Sequence, residues 1–385
     1  MANWRCVVFR SSAELRAVAP AWDDLWQRSA VTRPTVRAEL VAQWVDDFAA
    51  DQVFRAVVVE RDGQFVAALP LVTARLGRFV RAGGLTTNDW SPCGDLLLDE
   101  GPGTAEALDV LLGGIRSLPW SLFCFDAMID PSPRWREFRQ ALDRARMPLA
   151  ERERFRVGVI DVGGDWEDRK KSWSKNHRRN VAKSLKRLEA TGGYTVRVAT
   201  GDNLDAVAPL LRVAMEVEDR SWKGRAGTSI LRTAGMPEHF ERQALQTAAW
   251  GQLYLAVLEQ KGRGIASEYG WLAKGVYHPM KVGYDEEMAG LGPGQLLMYM
   301  ILEQLHARHD CHAVDCLGPL AEMIKRWEPR VYSVCRLLFA TRRPLGQALL
   351  YGYKHVWPHV SRWRGKEAIE GTRLASAKEP ATAVD

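Results

Sequence analysis

The sequence predicts an α/β protein of two similar domains in tandem, each a mixed central sheet flanked by helices. The order strand, two helices, β-meander, helix, strand runs twice along the chain. The two central hairpins also match in place, Glu60-Arg61-Asp62-Gly63 standing where Glu259-Gln260-Lys261-Gly262 stands 199 residues later. At 385 residues, 46% apolar and 26% charged, the chain has the length of two domains and the composition of a globular protein.

In the first half, WRCVVFR (4–10) reads as a strand. Ser12 precedes a helical pattern through Leu15, Val18, Trp22 and Leu25, with Glu14 in its first turn. A second helix covers about 36–49. FRAVVVE (54–60) and FVAALPLV (65–72) flank a turn at Arg61-Asp62-Gly63-Gln64, where the glycine takes a positive φ cheaply. A loop (83–94), a helix (103–117), a strand SLFCFDA (121–127) and a helix (133–146) follow, and the join lies near 150–165.

The second half begins with a basic stretch and then repeats the order. YTVRVAT (194–200) is a strand, and Asp202 or Asn203 caps a helix through Leu204, Val207, Leu210, Leu211, Ala214 and Val217. After a helix over about 237–250, LYLAVLE, IASEYGWLA and VYHPMKVGYD (276–285) form a meander. GLGPG (290–294) opens the helix QLLMYMILEQLHAR, and AVDCL (313–317) and VYSVCRLLFAT (331–341) are strands. This predicts domains over 1–152 and 153–343, then a basic helix and a disordered tail over 344–385.

Charge is uneven. Residues 1–150 hold 17 Arg, no Lys and 19 acidic residues and sum to −2, whereas the rest sums to +8. The second half is therefore the candidate for meeting a polyanion. Six cysteines without a CxxC spacing read as free thiols of a reducing compartment. MANWRCVVFRSSAELR has no apolar signal region, and the longest apolar run, LLMYMIL, is far too short to span a bilayer. A cytoplasmic protein is expected. The C-terminal segment 344–364, with Leu349, Leu350, Tyr353, Val356, Trp357 and Trp363 among cations, reads as a helix docked on the second domain, with peripheral membrane contact as the alternative.

Four local features carry chemistry. Gly290, Gly292 and Gly294 between a strand and a helix free backbone N–H groups at a helix N-terminus, which suits a pyrophosphate. The stretch 169–187 holds nine Lys/Arg and no acid. Trp173, His177, Val181, Leu185 and Leu188 form its apolar stripe, which leaves Lys175, Arg178 and Arg179 facing out toward phosphates. No motif for reading duplex DNA is present. The segment from Glu218 through Trp222 and Lys223 to Thr228 ends a helix in a glycine-punctuated loop that suits a substrate wall. Lys281, Tyr284 and Asp285 stand at a strand end beside the glycine loop, where a carboxylate or a tunable Tyr/Lys could serve acid/base work. His306, His309 and His312 with Cys311 and Cys316 read as surface groups rather than metal ligands, and no metal is expected.

The element order, with a phosphate loop between the fourth strand and third helix, resembles the GNAT acyltransferase fold. SKNHRRNVAKSLKRLEATGG, EDRSWKGRAGT, KVGYDEEMAGLGPGQLL and the AVDCLGP…KRW stretch are similar to the bacterial GNAT subfamily of CelD-type cellulose-biosynthesis proteins. Paired domains of this kind further resemble Fem-type peptidyltransferases, which use aminoacyl-tRNA. In the GNAT loop pattern Gly292 and Gly294 match, while Ala289 stands where Gln or Arg leads. The resemblance implies acetyl-CoA or another acyl-CoA as co-substrate, its pyrophosphate on the backbone of Gly290, Gly292, Gly294, Gln295 and Leu296. It implies Glu218 or Asp285 as base, Tyr284 as acid, and Trp222, Lys223 and Lys281 around a small-molecule, glycan-linked or lipid-linked amine. Transfer from charged tRNA, with Lys175, Arg178 and Arg179 on RNA, is the alternative, and a non-catalytic scaffold a third. The first domain lacks a comparable loop and is expected to be non-catalytic.

Overall fold

The computed structural model describes residues 2–77, 80–130 and 132–355. The chain divides into two compact units, one of residues 1–31, 35–154 and 334 onward, the other of 32–34 and 155–333.

The first unit runs β1 (Trp4–Phe9), α1 (Ser12–Ala17), α2 (Ala19–Arg28), α3 (Ala38–Phe48), β2 (Phe54–Arg61), β3 (Gln64–Leu76), β4 (Val80–Leu85), β5 (Leu97–Leu98), α4 (Thr104–Ser117), β6 (Leu122–Asp130) and α5 (Pro133–Arg144). Its strands lie in the order β1-β2-β3-β4-β6, antiparallel except for the parallel β4–β6 pair, with β5 on β3. Pro20 in the first turn of α2 splits the expected single helix into α1 and α2 at Val18.

β7 (Leu149–Asp161) begins in the first unit and ends in the second. The second unit continues with α6 (Trp166–Ser172), α7 (Lys175–Ala190), β8 (Thr195–Ala199), α8 (Val207–Asp219), α9 (Trp222–Arg225), α10 (Met236–Ala249), β9 (Leu253–Gln260), β10 (Arg263–Ala273), β11 (Val276–Tyr284), α11 (Pro293–His306), β12 (Ala313–Asp315) and α12 (Glu322–Lys325). Its order is β8-β9-β10-β11-β12, then the later half of β7, with β11–β12 parallel and the other pairs antiparallel. β13 (Arg330–Ala340) crosses back, and α13 (Pro344–His355) belongs to the first unit.

The same two-residue turn closes the central hairpin of each unit. Asp62 and Gly63 have φ of 54° and 84°, and Lys261 and Gly262 have 51° and 75°. Both central residues are left-handed, as hairpins of this length demand. In each unit a helix, α4 or α11, then crosses to a parallel strand, so both are mixed sheets flanked by helices.

Three expectations need correction. The join near 150–165 holds a strand, β7, in which Val157, Gly158 and Ile160 are buried while Glu151, Arg152, Glu153 and Asp161 are exposed. The boundary at 343 is also displaced. The later half of β13 is an apolar run whose Cys335, Leu337 and Phe339 enter the core of the first unit beside Phe123, Phe125 and Phe138. Phe339 stacks on Phe123 at 4.8 Å. Finally, α13 docks on the first unit, where Leu350 packs with Ala82, Leu122 and Leu338. Gly346 lies so near Ser121 that a β-carbon would meet its carbonyl oxygen. The remainder of the 344–385 segment, from 356 on, lies outside the described residues.

Candidate active site

The glycine turn is built in the second unit. Asp285 caps the 3₁₀ turn Glu286–Leu291 by accepting from Glu287 N at 3.1 Å. Gly292, at φ +64°, turns the chain into α11, and Pro293 takes the first helical position. The amides of this turn are unequal. Gly292 N donates to Ala289 O at 2.9 Å, and Gln295 N and Leu296 N both donate to Gly292 O at 3.1 Å. The Gln295 and Leu296 amides expected to cradle a ligand therefore serve the helix, because α11 starts early. Gly294 N–H is the donor left at the helix start. A β-carbon on Gly290 would touch nothing within 4 Å, and one on Gly294 would meet the Tyr284 ring at 3.5 Å.

The basic stretch lies against this turn, broken into α6 and α7 because Ser174 caps a new helix by accepting from His177 N. The apolar stripe is as expected: Trp173, His177, Val181 and Leu188 are buried. Arg187 Nη1 donates to Gly290 O at 3.4 Å, and Gln295 Nε2 lies 3.4 Å from His177 Nδ1. Burial between Trp173 and Trp327 pulls the His177 pKa down. Lys175, Arg178 and Arg179 are exposed at the far end of the helix, so Arg187, outside that trio, is the cation that touches the loop.

Across the sheet, α8 and β11 enclose a narrow crevice lined by Met215, Glu218, Ile230, Ser267, Tyr269 and Lys281. Glu218 is 4% exposed; its Oε1 accepts from Lys223 Nζ at 2.8 Å and its Oε2 from Ile230 N at 2.9 Å. Lys223 Nζ also donates to Val282 O at 3.1 Å, and Lys281 Nζ sits 5.6 Å from the Phe240 ring. Trp222, first in α9, is exposed beside them. The structure thus gathers Glu218, Lys223 and Lys281.

It does not gather Tyr284 with them. Strand alternation sets Gly283 against Glu218 on the α8 side and Tyr284 against Gly294 on the α11 side. Asp285 is fully buried, with Oδ2 accepting from Arg220 Nε at 2.8 Å and Arg263 Nη2 at 2.5 Å and Oδ1 from Glu287 N. Every edge of that carboxylate is used, which suits a strap between α8 and the glycine turn rather than a base.

A second polar group, which sequence reasoning missed, stands where β12 ends. The parallel β11–β12 ladder consists of Val276↔Ala313 and Tyr277↔Val314. Beyond it, Tyr332 OH donates to Asp315 at 3.0 Å from each carboxylate oxygen, and Leu317 N donates to Asp315 Oδ1 at 3.0 Å. Burial raises the Asp315 pKa, opposed in part by these bonds and by the Arg33 charge. On the other sheet face Glu268 is 2% exposed, accepts from Tyr277 OH at 2.7 Å and is pushed up to about 7 by burial. Among the described residues no group of three or more His, Cys, Asp or Glu is placed to hold a metal ion, and no helix is long and apolar enough to cross a membrane.

In the second unit the fourth strand of a mixed sheet, β11, runs through a glycine turn into α11, the element order of the GNAT fold that the sequence resembles. Residues 175–325 match the family described as acetyltransferase (GNAT) domain. A comparison with curated proteins found no match. Among solved structures, FemX aligns with 86% of this chain and 98% of its own at 12% identity, TM-score 0.58. The DUF2156 C-terminal domain assigned to a lysylphosphatidylglycerol synthetase of Agrobacterium fabrum aligns over 88% and 95% at 13% identity, TM-score 0.53. L-PGS from Bacillus licheniformis aligns over 87% and 96% at 13% identity, TM-score 0.51. At such identities the likeness is one of fold.

Proposed function

We propose that this chain is a cytoplasmic N-acyltransferase of the CelD-like branch, moving an acyl group from acyl-CoA to an amine by direct attack. The observation that carries this reading is the left-handed Gly292 turn at the start of α11, beside a β11 edge that has no ladder partner toward β12 beyond Tyr277. Gly294 N–H, the helix dipole and the adjoining Arg187 of α7 suit a pyrophosphate. The open β11 edge suits the amides of a pantetheine arm.

Glu218 is the carboxylate that lines the crevice, so it is the group proposed to take the amine proton. Lys223 holds it in place, and Lys281 and Trp222 border the acceptor. Tyr284 borders the pyrophosphate instead of serving the thiolate. The acceptor is a small-molecule, glycan-linked or lipid-linked amine, and the first unit is non-catalytic. Thermal denaturation with acetyl-CoA, longer acyl-CoAs and charged tRNA tests the donor. A CoA compound at 100 times its Kd should add about 2.7 kcal/mol of stability. No response to any CoA compound would overturn the reading.

A second donor is favoured by one observation: Lys175, Arg178, Arg179, Lys183 and Lys186 are all exposed on α7. An aminoacyl-tRNA would engage such a row. It would show a binding slope near one unit per phosphate contact in log salt, which a CoA compound would not approach.

A further inference from the structure

α13 is apolar on two sides, and only one of them is covered. Inward, Leu350 is buried with Ala82, Leu122 and Leu338, and Leu349 and Tyr353 pack at the edge of the same cluster. Outward, Leu345, Ala348 and Tyr351 recur at every third residue, so they stand along one face of the helix. Leu345 is 66% exposed and Tyr351 65%, more than any other large apolar side chain among the described residues. A lone exposed leucine is ordinary. Here the two most exposed apolar side chains share one helix face, less than two turns apart.

Charge marks what suits that face. Between Glu328 and Glu367 the chain holds no acidic residue. Arg342 and Arg343, just before α13, and Lys354, in its last turn, are exposed. The two guanidinium groups donate to carbonyl oxygens, Arg342 to Ala145 O and Arg343 to Pro119 O, each at 3.4 Å. Among the described residues none of the three cations meets a carboxylate, whereas Arg16, Arg28, Arg139 and Arg336 of the same unit each do. The sequence past His355 adds Trp357 and Trp363 with Arg362, Arg364 and Lys366 before the next acid.

A protruding Leu and Tyr flanked by cations suit a surface that is anionic outside and apolar beneath, and a phospholipid bilayer is both. Tyr and Trp settle at its headgroup level. Each Lys or Arg within a Debye length strengthens attachment by roughly fivefold. A nucleic acid would use the cations but leave Leu345 in water. A second copy seated face to face would set like charges together. We propose that the outward face of α13 docks on an anionic phospholipid surface, with Leu345 and Tyr351 entering the headgroup layer and Arg342, Arg343 and Lys354 drawn to the lipid phosphates. This docking does not depend on the acyl donor, so its failure would leave the acyl-CoA reading untouched.

The test is sedimentation of the full chain with vesicles of phosphatidylcholine, alone or with about one part in three of phosphatidylglycerol. The wild type should bind the anionic vesicles at least about tenfold more tightly than the neutral ones, and salt at about 0.5 M should release it. Leu345→Gln with Tyr351→Gln removes the apolar pair and no charge. It should weaken binding by at least about tenfold, while the melting temperature moves by no more than about 2 °C because both side chains are exposed. Lys354→Glu keeps the apolar pair and should weaken binding to anionic vesicles by at least about fivefold. A wild type that ignores anionic vesicles at low salt overturns the proposal. So does undiminished binding in either variant, which would move the attachment to other cations such as the row on α7. A wild-type dimer that the double variant dissolves would show a second copy on this face. Loss of tRNA binding rather than vesicle binding in these variants would show an RNA there, and either result overturns the proposal as well.

Discussion

A β-carbon on Gly283 would come within 3.0 Å of the Glu218 Cα, so β11 and α8 meet backbone to backbone. Neither backbone can yield cheaply. Gly283→Ala should therefore destabilise the chain by about 1–3 kcal/mol, as overpacked sites do, read from urea unfolding. Glu218→Gln, which keeps the shape, should leave CoA binding intact and lower transfer to an amine by about 100-fold or more. Full activity in that variant would remove Glu218 from the chemistry.

Asp285 is bound by Arg220 and Arg263 and has no exposed surface. Removing it leaves Arg220 Nε and the Glu287 amide without their acceptor, while Arg263 keeps Glu287. Asp285→Ala should cost about 3 kcal/mol, measured by chemical denaturation, while the folded fraction keeps its turnover within about threefold. A normal stability with lost turnover would instead restore Asp285 as a base.

Glu268 makes stability depend on pH. Burial lifts its pKa from 4.5 to about 7, against the opposing pull of the Tyr277 hydrogen bond. Between those values the folded chain keeps a proton that the unfolded chain has lost, so stability is greatest below the unfolded value and falls as pH rises through the folded one. The loss is of the order of 3 kcal/mol at most. Glu268→Gln should flatten that part of the profile and gain relative to wild type at pH 8. Unfolding of both chains at pH 5 and pH 8 checks this, and parallel profiles would refute it.

Much of the fold was legible in the sequence, because local chemistry decided it. Asp62-Gly63 and Lys261-Gly262 demand a two-residue hairpin turn, and the spacing of His177, Val181 and Leu188 demands a helix face. The partner of a strand is not local. VCRLLFA reads as a buried strand, but nothing in it says that Leu337 and Phe339 pack with the unit built from the chain's start. β7 was hidden because its first half, ERERFR, carries four consecutive charges and reads like a linker. The site divided the same way. The glycine turn shows in its letters, whereas Asp315 and Tyr332 lie 17 residues apart on different strands and meet only through the sheet. Asp285 looked like a base because its arginine partners, 22 and 65 residues away, leave no spacing signal.

The placement of the donor on the Gly292–Gly294 turn is tested most directly by calorimetric titration with acetyl-CoA and with S-acetylpantetheine, which lacks the pyrophosphate. The wild-type chain should bind acetyl-CoA at least about tenfold more tightly, a difference of about 1.4 kcal/mol. Gly294→Glu sets a carboxylate beside the Tyr284 ring and the one amide left at the helix start. It should abolish that preference while leaving the weaker affinity for S-acetylpantetheine unchanged. Equal affinity for the two compounds in the wild type, or full acetyl-CoA affinity in Gly294→Glu, would contradict it.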